Sequence, residues 1–131
     1  MANNKILIVE DDTIISEVIE WRLKKMGYAV CGKVATGQDA ITLANETSPD
    51  AILMDISLQG DMDGIEAAKI IKEKFNKPII FLTAYSDEKV LERIIPLQPT
   101  QYILKPFNDD DLRIALRLSL GRIQHFFVTR F

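Results

Sequence analysis

"KILIVEDD", residues 5–12, joins two opposite chemistries with no spacer between them. Ile6, Leu7, Ile8 and Val9 form an unbroken branched apolar run, which reads as a strand buried on both faces. Glu10, Asp11 and Asp12 follow at once. Two like charges ~4 Å apart at an effective dielectric of about 20 repel by about 4 kcal/mol. Acids gathered at the end of a buried strand must therefore either remain in water or meet a counter-charge.

The rest of the chain repeats the pattern of apolar run, polar stop and helix. In "TIISEVIEWRLKKMGY" (13–28), Ile15, Val18, Ile19 and Met26 recur at helical spacing, and Gly27 is a natural stop. "AVCGKVA" (29–35) is a second strand. Thr36-x-x-Asp39 is a capping pattern ahead of "AITLANE", which ends at Pro49. "AILM" (51–54) is a third strand and stops at Asp55; after the loop "ISLQGDMD", Asp63-x-x-Glu66 caps the helix "IEAAKIIKEKF". Pro78 precedes the strand "IIFL", and Ser86 and Asp87 cap "EKVLERII". Pro96 and Pro99 bracket a loop before the strand "QYIL". Asn108 and three aspartates open the last helix, where acids suit the positive end of the dipole. From Leu112, the set Ala115, Leu116, Leu120, Ile123 and Phe127 shares one face and is expected in the core. Ile114 and Leu118 fall opposite, with Arg122 one turn further, and Trp21 is expected partly exposed on the first helix.

Five strands alternating with five helices imply an α/β fold with a parallel sheet covered on both faces. No repeat or low-complexity linker interrupts it, so residues 1–131 read as one domain, with its core in about 5–120 and 121–131 as a tail or helix extension. The chain has 131 residues, enough for one real core, and a net charge of −3, which argues against direct non-specific nucleic-acid binding. The single cysteine, Cys31, excludes a disulfide framework and a Cys-based zinc site, and reads as a buried apolar side chain. No apolar stretch is long enough to span a bilayer and "MANNK" is no signal peptide, so the expected location is the cytoplasm, with no membrane partner.

Function is carried at the strand ends, because open parallel sheets bind ligands there, at the topological switch point. The first strand ends in Glu10-Asp11-Asp12, the third in Asp55, the fourth in Thr83-Ala84 and the fifth in Lys105-Pro106. Each has an ordinary use by itself: Asp12 as a helix cap, Asp55 as a turn acid, Thr83 as a backbone-bonding hydroxyl, Lys105 as a solvated charge. Four successive strand ends with this chemistry point instead to one joint site. Clustered carboxylates suit a hard cation, and Mg²⁺ takes a few carboxylates, a carbonyl and several waters. The hydroxyl and the ammonium then suit the oxygens of a further anionic ligand such as a phosphoryl group.

These motifs, "ILIVEDD", "AILMDISL…MDG", "IIFLTAY" and "YILKPF", resemble the receiver domain of two-component response regulators over roughly residues 5–120. The resemblance implies a flavodoxin-like (βα)5 fold, strand order 2-1-3-4-5. It implies a phospho-acceptor, Asp55, rather than an enzyme with its own turnover. It further implies Mg²⁺ (Mn²⁺ as a substitute) held by Asp11 and Asp55, by Glu10 through water and by the backbone carbonyl of Ser57. Thr83 and Lys105 would meet the phosphoryl oxygens, Lys105-Pro106 would be cis, and Thr83 with Tyr102 would form the switch. The implied partners are a sensor histidine kinase or phosphotransfer protein and a downstream protein, with a homodimer through the fifth helix as a further expectation. The chain's own His125 lies in the tail, outside any kinase-like motif, so the donor is another protein.

One departure is local. Receivers usually carry Asp-x-x-Met/Leu-Pro-x-x-Asp-Gly after the acceptor; "DISLQGDMDG" lacks the proline and has one residue more before Gly64. It resembles receivers associated with sensor kinases and those of methanogenic archaea. A haloacid dehalogenase-type phosphatase would need an acid where Ser57 stands, and a flavodoxin would not place three acids at a flavin phosphate. By the same resemblance Ser57 and Tyr85 flank the approach of the hydrolytic water; neither offers a good base at neutral pH, which implies a long-lived phosphoryl group.

Overall fold

The computed structural model describes residues 4–84, 88–99 and 101–121. Five parallel strands form one sheet: β1 (Lys5–Val9), β2 (Ala29–Val34), β3 (Ala51–Asp55), β4 (Ile79–Thr83) and β5 (Gln101–Leu104), in the order β2-β1-β3-β4-β5. Five helices alternate with them: α1 (Thr13–Lys25), α2 (Gly37–Thr47), α3 (Gly64–Phe75), α4 (Glu88–Ile94) and α5 (Asp109–Leu120). This is the expected flavodoxin-like arrangement.

The central strands are apolar between their end residues because both their faces are covered. Leu7, Val9, Ile52, Met54 and Phe81 point into the core beneath α2, α3 and α4. Ile6, Ile8, Leu53, Ile80 and Leu82 point the other way, onto Ile19 and Leu23 of α1 and Leu112 and Leu116 of α5. Period-two alternation thus divides one continuous apolar run between two cores. The order reverses between β1 and β3, so the crevice at their carboxyl ends lies between the Glu10-Asp11 pair and Asp55.

The helix starts follow their caps. Asp12 accepts from the N–H groups of Ile14 and Ile15, and Thr36 from that of Asp39. Asp63 with Glu66, and Asn108 with Asp111, form reciprocal capping boxes. Gly27, at φ 94°, turns the chain out of α1 as expected. Pro96 cuts α4 shorter than its apolar pattern, and Ile95–Leu97 tighten into a 3-10 turn. The expected caps Ser86 and Asp87 lie outside the described residues, as do Tyr85, Arg122, Ile123, His125 and Phe127.

Two expectations need correction. On α1, Ile15 and Val18 share helical spacing with Ile19, but only Ile19 and Leu23 face the sheet; Ile15 and Val18 are exposed beside Ile14, and Trp21 is 60% exposed. The sheet face of α1 is completed by the small residue Ser16, a position the apolar count passed over. Cys31 is half-buried rather than buried, because β2 is an edge strand and slips past β1 there: Ile6 pairs with Val30, but Leu7 with Gly32. On α5 the pattern holds for Leu112, Ala115 and Leu116 inside and Ile114 and Leu118 outside; Leu120 is half-buried and Ser119 takes a core position, its hydroxyl donating to the Ala115 carbonyl at 2.8 Å.

Candidate functional site

The carboxylates of Glu10, Asp11 and Asp55 come within 4.8 Å of one another at the reversal of strand order. Backbone bonding fixes each strand end. Glu10 N–H donates to the Val34 carbonyl at 2.9 Å, and Lys105 N–H to the Thr83 carbonyl at 2.8 Å. Asp55 is the last residue of β3, 5% exposed, and Thr83 the last of β4, 1% exposed. Lys105 follows β5 through a cis peptide to Pro106.

Lys105 is the counter-charge. Its Nζ donates to Asp55 Oδ2 at 2.8 Å and to Glu10 Oε1 at 2.9 Å, bridging β5 to both acidic strand ends. Each carboxylate has a second donor: Ser57 N–H reaches Asp55 Oδ1 at 3.0 Å, and Asp12 N–H reaches Glu10 Oε2 at 3.1 Å. Asp12 is therefore both the cap of α1 and, through its backbone, a support for Glu10.

One ammonium does not balance three acids. Burial pushes the Glu10 carboxyl up to about 7; the Asp55 carboxylate beside it adds to the rise and Lys105 opposes it. Burial works against the Lys105 ammonium, but its bonds to Asp55 and Glu10 outweigh that and raise its pKa above the ordinary value. With Glu10 ionised, two net negative charges remain, which is the charge of one divalent cation. The donor set of this cluster is all carboxylate oxygen, which a hard cation takes. Ser57, whose carbonyl the receiver resemblance nominates, is exposed on the loop directly after Asp55.

That loop is pinned from beneath. Gly64 N–H donates to the Ile56 carbonyl at 2.8 Å, and a Cβ at Gly64 would overlap the backbone carbonyl of Asp55. Only glycine allows α3 to begin so close to Asp55, which is the physical content of the "DG" pair. The extra residue of the loop is absorbed where Gly60 turns at φ 94°, and Gln59 forms a bridge to Thr36. Tyr102 is half-buried on β5, opposite Phe81 of β4 and packed on the α2–α4 side of the core.

An apolar groove of about 480 Å³ opens beside Lys105, walled by Ile14, Ile15, Val18, Ala84, Pro106 and Phe107. Sequence reading missed it because Ile15 and Val18 share the helical spacing of a core residue. The signal available was their excess: α1 carries more apolar residues than one sheet-facing stripe accommodates.

Residues 6–117 match the response regulator receiver domain family. The transcriptional regulatory protein PdtaR of Mycobacterium tuberculosis is 35% identical over 120 residues, which cover 92% of this chain and 58% of that protein. The chain thus spans little more than half the length of this curated relative. Among solved structures, the signal receiver domain of a modulated diguanylate cyclase from Desulfovibrio desulfuricans G20 superposes with a TM-score of 0.88 at 31% identity, covering 94% of this chain and 98% of that one. The receiver domain of sensor histidine kinase PA1611 from Pseudomonas aeruginosa PAO1, with a magnesium ion coordinated in its active-site cleft, gives 0.82 at 36% identity, covering 92% and 99%.

The raised Glu10 value has a measurable consequence in metal-free protein. The folded-state pKa, about 7, exceeds the ordinary 4.5, so protonation favours the folded chain. That stabilisation is full below about 4.5 and lost as pH rises through about 7. Glu10→Gln mimics the protonated carboxyl. Thermal unfolding in EDTA should show it close to wild type near pH 5 and more stable at pH 8, by about 1–3 kcal/mol. A variant less stable than wild type at pH 8 contradicts this account of Glu10.

Proposed function

The chain belongs to the response regulator receiver domain family, and on that premise we propose that it accepts a phosphoryl group on Asp55 from a phosphohistidine of a partner protein. The observation that carries the reading is the shared ammonium: Lys105 holds Asp55 and Glu10 together at 2.8 and 2.9 Å, in a cluster still two charges short of neutrality. Glu10 through water, Asp11, Asp55 and the Ser57 carbonyl hold Mg²⁺, with Mn²⁺ as a substitute; the bound ion supplies the missing positive charge. An Asp55 oxygen forms the new P–O bond as the P–N bond to the donor imidazole breaks, and the imidazole leaves with the bonding pair. Lys105 and the Thr83 hydroxyl bind the phosphoryl oxygens, so the protein's share is positioning and charge stabilisation.

The donor is a sensor histidine kinase or phosphotransfer protein, and the apolar groove on α1 beside Lys105 suits its docking, since an exposed apolar surface at the rim of a site marks a partner. Phosphorylation changes the charge at Asp55, Thr83 turns toward it, and Tyr102 moves into the space released. This biases the α4–β5–α5 face between two states read by a downstream protein in the cytoplasm, with no direct contact to nucleic acid.

Asp55→Asn should abolish labelling by acetyl phosphate in Mg²⁺ while leaving the fold intact by circular dichroism. Undiminished, hydroxylamine-labile labelling of that variant refutes the assignment.

Ile114, 53% exposed, and Leu118 one turn on present an unpaired apolar stripe at the free edge of β5, beside exposed Leu104. We assign this face to self-association. Sedimentation in beryllofluoride should give a heavier species for wild type than for Ile114→Lys/Leu118→Lys. Equal masses with and without beryllofluoride exclude it.

The acyl phosphate is slow to hydrolyse, because Ser57 is too short to orient an in-line water and Tyr85 supplies bulk without a neutral-pH base. Ser57→Asn/Tyr85→Glu should shorten its lifetime about tenfold, which is roughly 1.4 kcal/mol. Decay of the phosphorylated double variant in Mg²⁺ no faster than wild type shows that these positions do not set the lifetime.

A further inference from the structure

Asp63 is more than a helix cap. Its Oδ1 accepts the Glu66 N–H at 2.9 Å and Arg93 Nη2 at 3.1 Å, while its Oδ2 accepts Arg93 Nη1 at 2.8 Å. Arg93 comes from α4, thirty residues later in the chain. This planar two-point contact spans the two elements between which the acceptor loop and α4 would move relative to one another. Asp63 is also one residue from Gly64, the point at which α3 packs against the backbone of Asp55 and bonds to Ile56. A continuous path therefore runs from the Arg93 guanidinium through Asp63 and Gly64 to the Asp55–Ile56 and Ile56–Ser57 peptide units, next to the one that carries the Ser57 carbonyl.

We propose that Arg93 is a positioning residue for the cation site: by gripping both oxygens of Asp63 it holds the loop 56–63 where the Ser57 carbonyl and the Asp55 carboxylate face the same ligand. This rests on the reading of that cluster as the Mg²⁺ site and adds to it a residue from outside the cleft. It also gives α4 a direct hold on the metal-ligand loop. Whatever displaces α4 weakens the cation, and by linkage a bound cation favours the position of α4 described here.

Electrostatics alone predicts a different result, which makes the proposal testable. If Arg93 acted only as a distant positive charge, its removal would tighten Mg²⁺ and removal of the Asp63 charge would weaken it. Positioning requires both to weaken it. Asp63→Asn keeps a side-chain oxygen for the α3 cap, since asparagine is as good a cap as aspartate. Mg²⁺ affinity is measured by calorimetry on the unphosphorylated full chain, for wild type, Arg93→Ala, Asp63→Asn, the double variant and Arg93→Lys. The pair is partly exposed, at 47% and 30%, so the expected loss is modest, about two- to fivefold in each single variant. The double variant should lose no more than either single, and Arg93→Lys should fall between wild type and Arg93→Ala, because lysine restores charge but not the two-point grip. Unchanged or tighter binding in Arg93→Ala, or additive losses in the double variant, overturns the proposal while leaving the cation site itself standing. A wild-type chain that binds no Mg²⁺, or one whose affinity is untouched by Asp11→Asn, overturns both.

Discussion

The ammonium of Lys105 between Asp55 and Glu10 is the contact on which the carboxyl edge of the sheet depends. It joins the end of β5 to that of β3 across β4, and to that of β1 across β4 and β3. Without it, buried carboxylates would face one another with two backbone N–H groups, among the described residues, to offset the repulsion. With it, the edge is held together but not neutral. A fully neutral edge would have no affinity for a cation, and a fully unpaired one would not stay closed. The raised Glu10 value reflects burial first and the neighbouring Asp55 carboxylate second, with Lys105 opposing both.

The backbone makes this balance possible. The carboxylates do not depend on long flexible arms, since Asp55 ends a fully buried strand and Glu10 follows another. Gly64 lets α3 begin against the Asp55 peptide, and Asp12 caps α1 while giving its N–H to Glu10. The residues that cap the helices are thus also those that orient the acids. A helix start is a natural place for this because its free N–H groups already favour negative charge.

Much of this is legible in the sequence, for identifiable reasons. Apolar runs that stop at an acid, a threonine or a lysine locate both the strands and the site, because the same residues that end a buried strand line its edge. Asp63-x-x-Glu66 and Asn108-x-x-Asp111 locate helix starts through bonds made within four residues. The failures occur where the deciding partner is distant. The apolar spacing of Ile15 and Val18 is correct, but their direction is set by how α1 rolls on the sheet, and Ser16 rather than Ile15 turns inward. Cys31 is half-buried because of a register slip that only the pairing with β1 reveals. Nothing near Arg93 in sequence announces Asp63.

The exposed large apolar residues divide cleanly around the sheet. Ile14, Ile15, Val18 and Trp21 lie on α1, next to the groove that reaches Lys105; Leu104, Ile114 and Leu118 lie at the free β5 edge, with Ile95 after α4. Burying those on α1 or α5 internally would need a helix rolled away from Ile19 and Leu23, or from Leu112 and Leu116, which already fill the α1–α5 side of the core. Among the described residues the core therefore does not take up this surface, which leaves two separate apolar faces exposed. β5 links the two surfaces: it is followed by Lys105 on the first side, carries Tyr102 inward, and presents Leu104 on the second. A charge placed on Asp55 acts on Lys105 directly, and Lys105 N–H is bonded to the Thr83 carbonyl. The strand that carries the counter-charge therefore also connects the site to the far edge of the sheet.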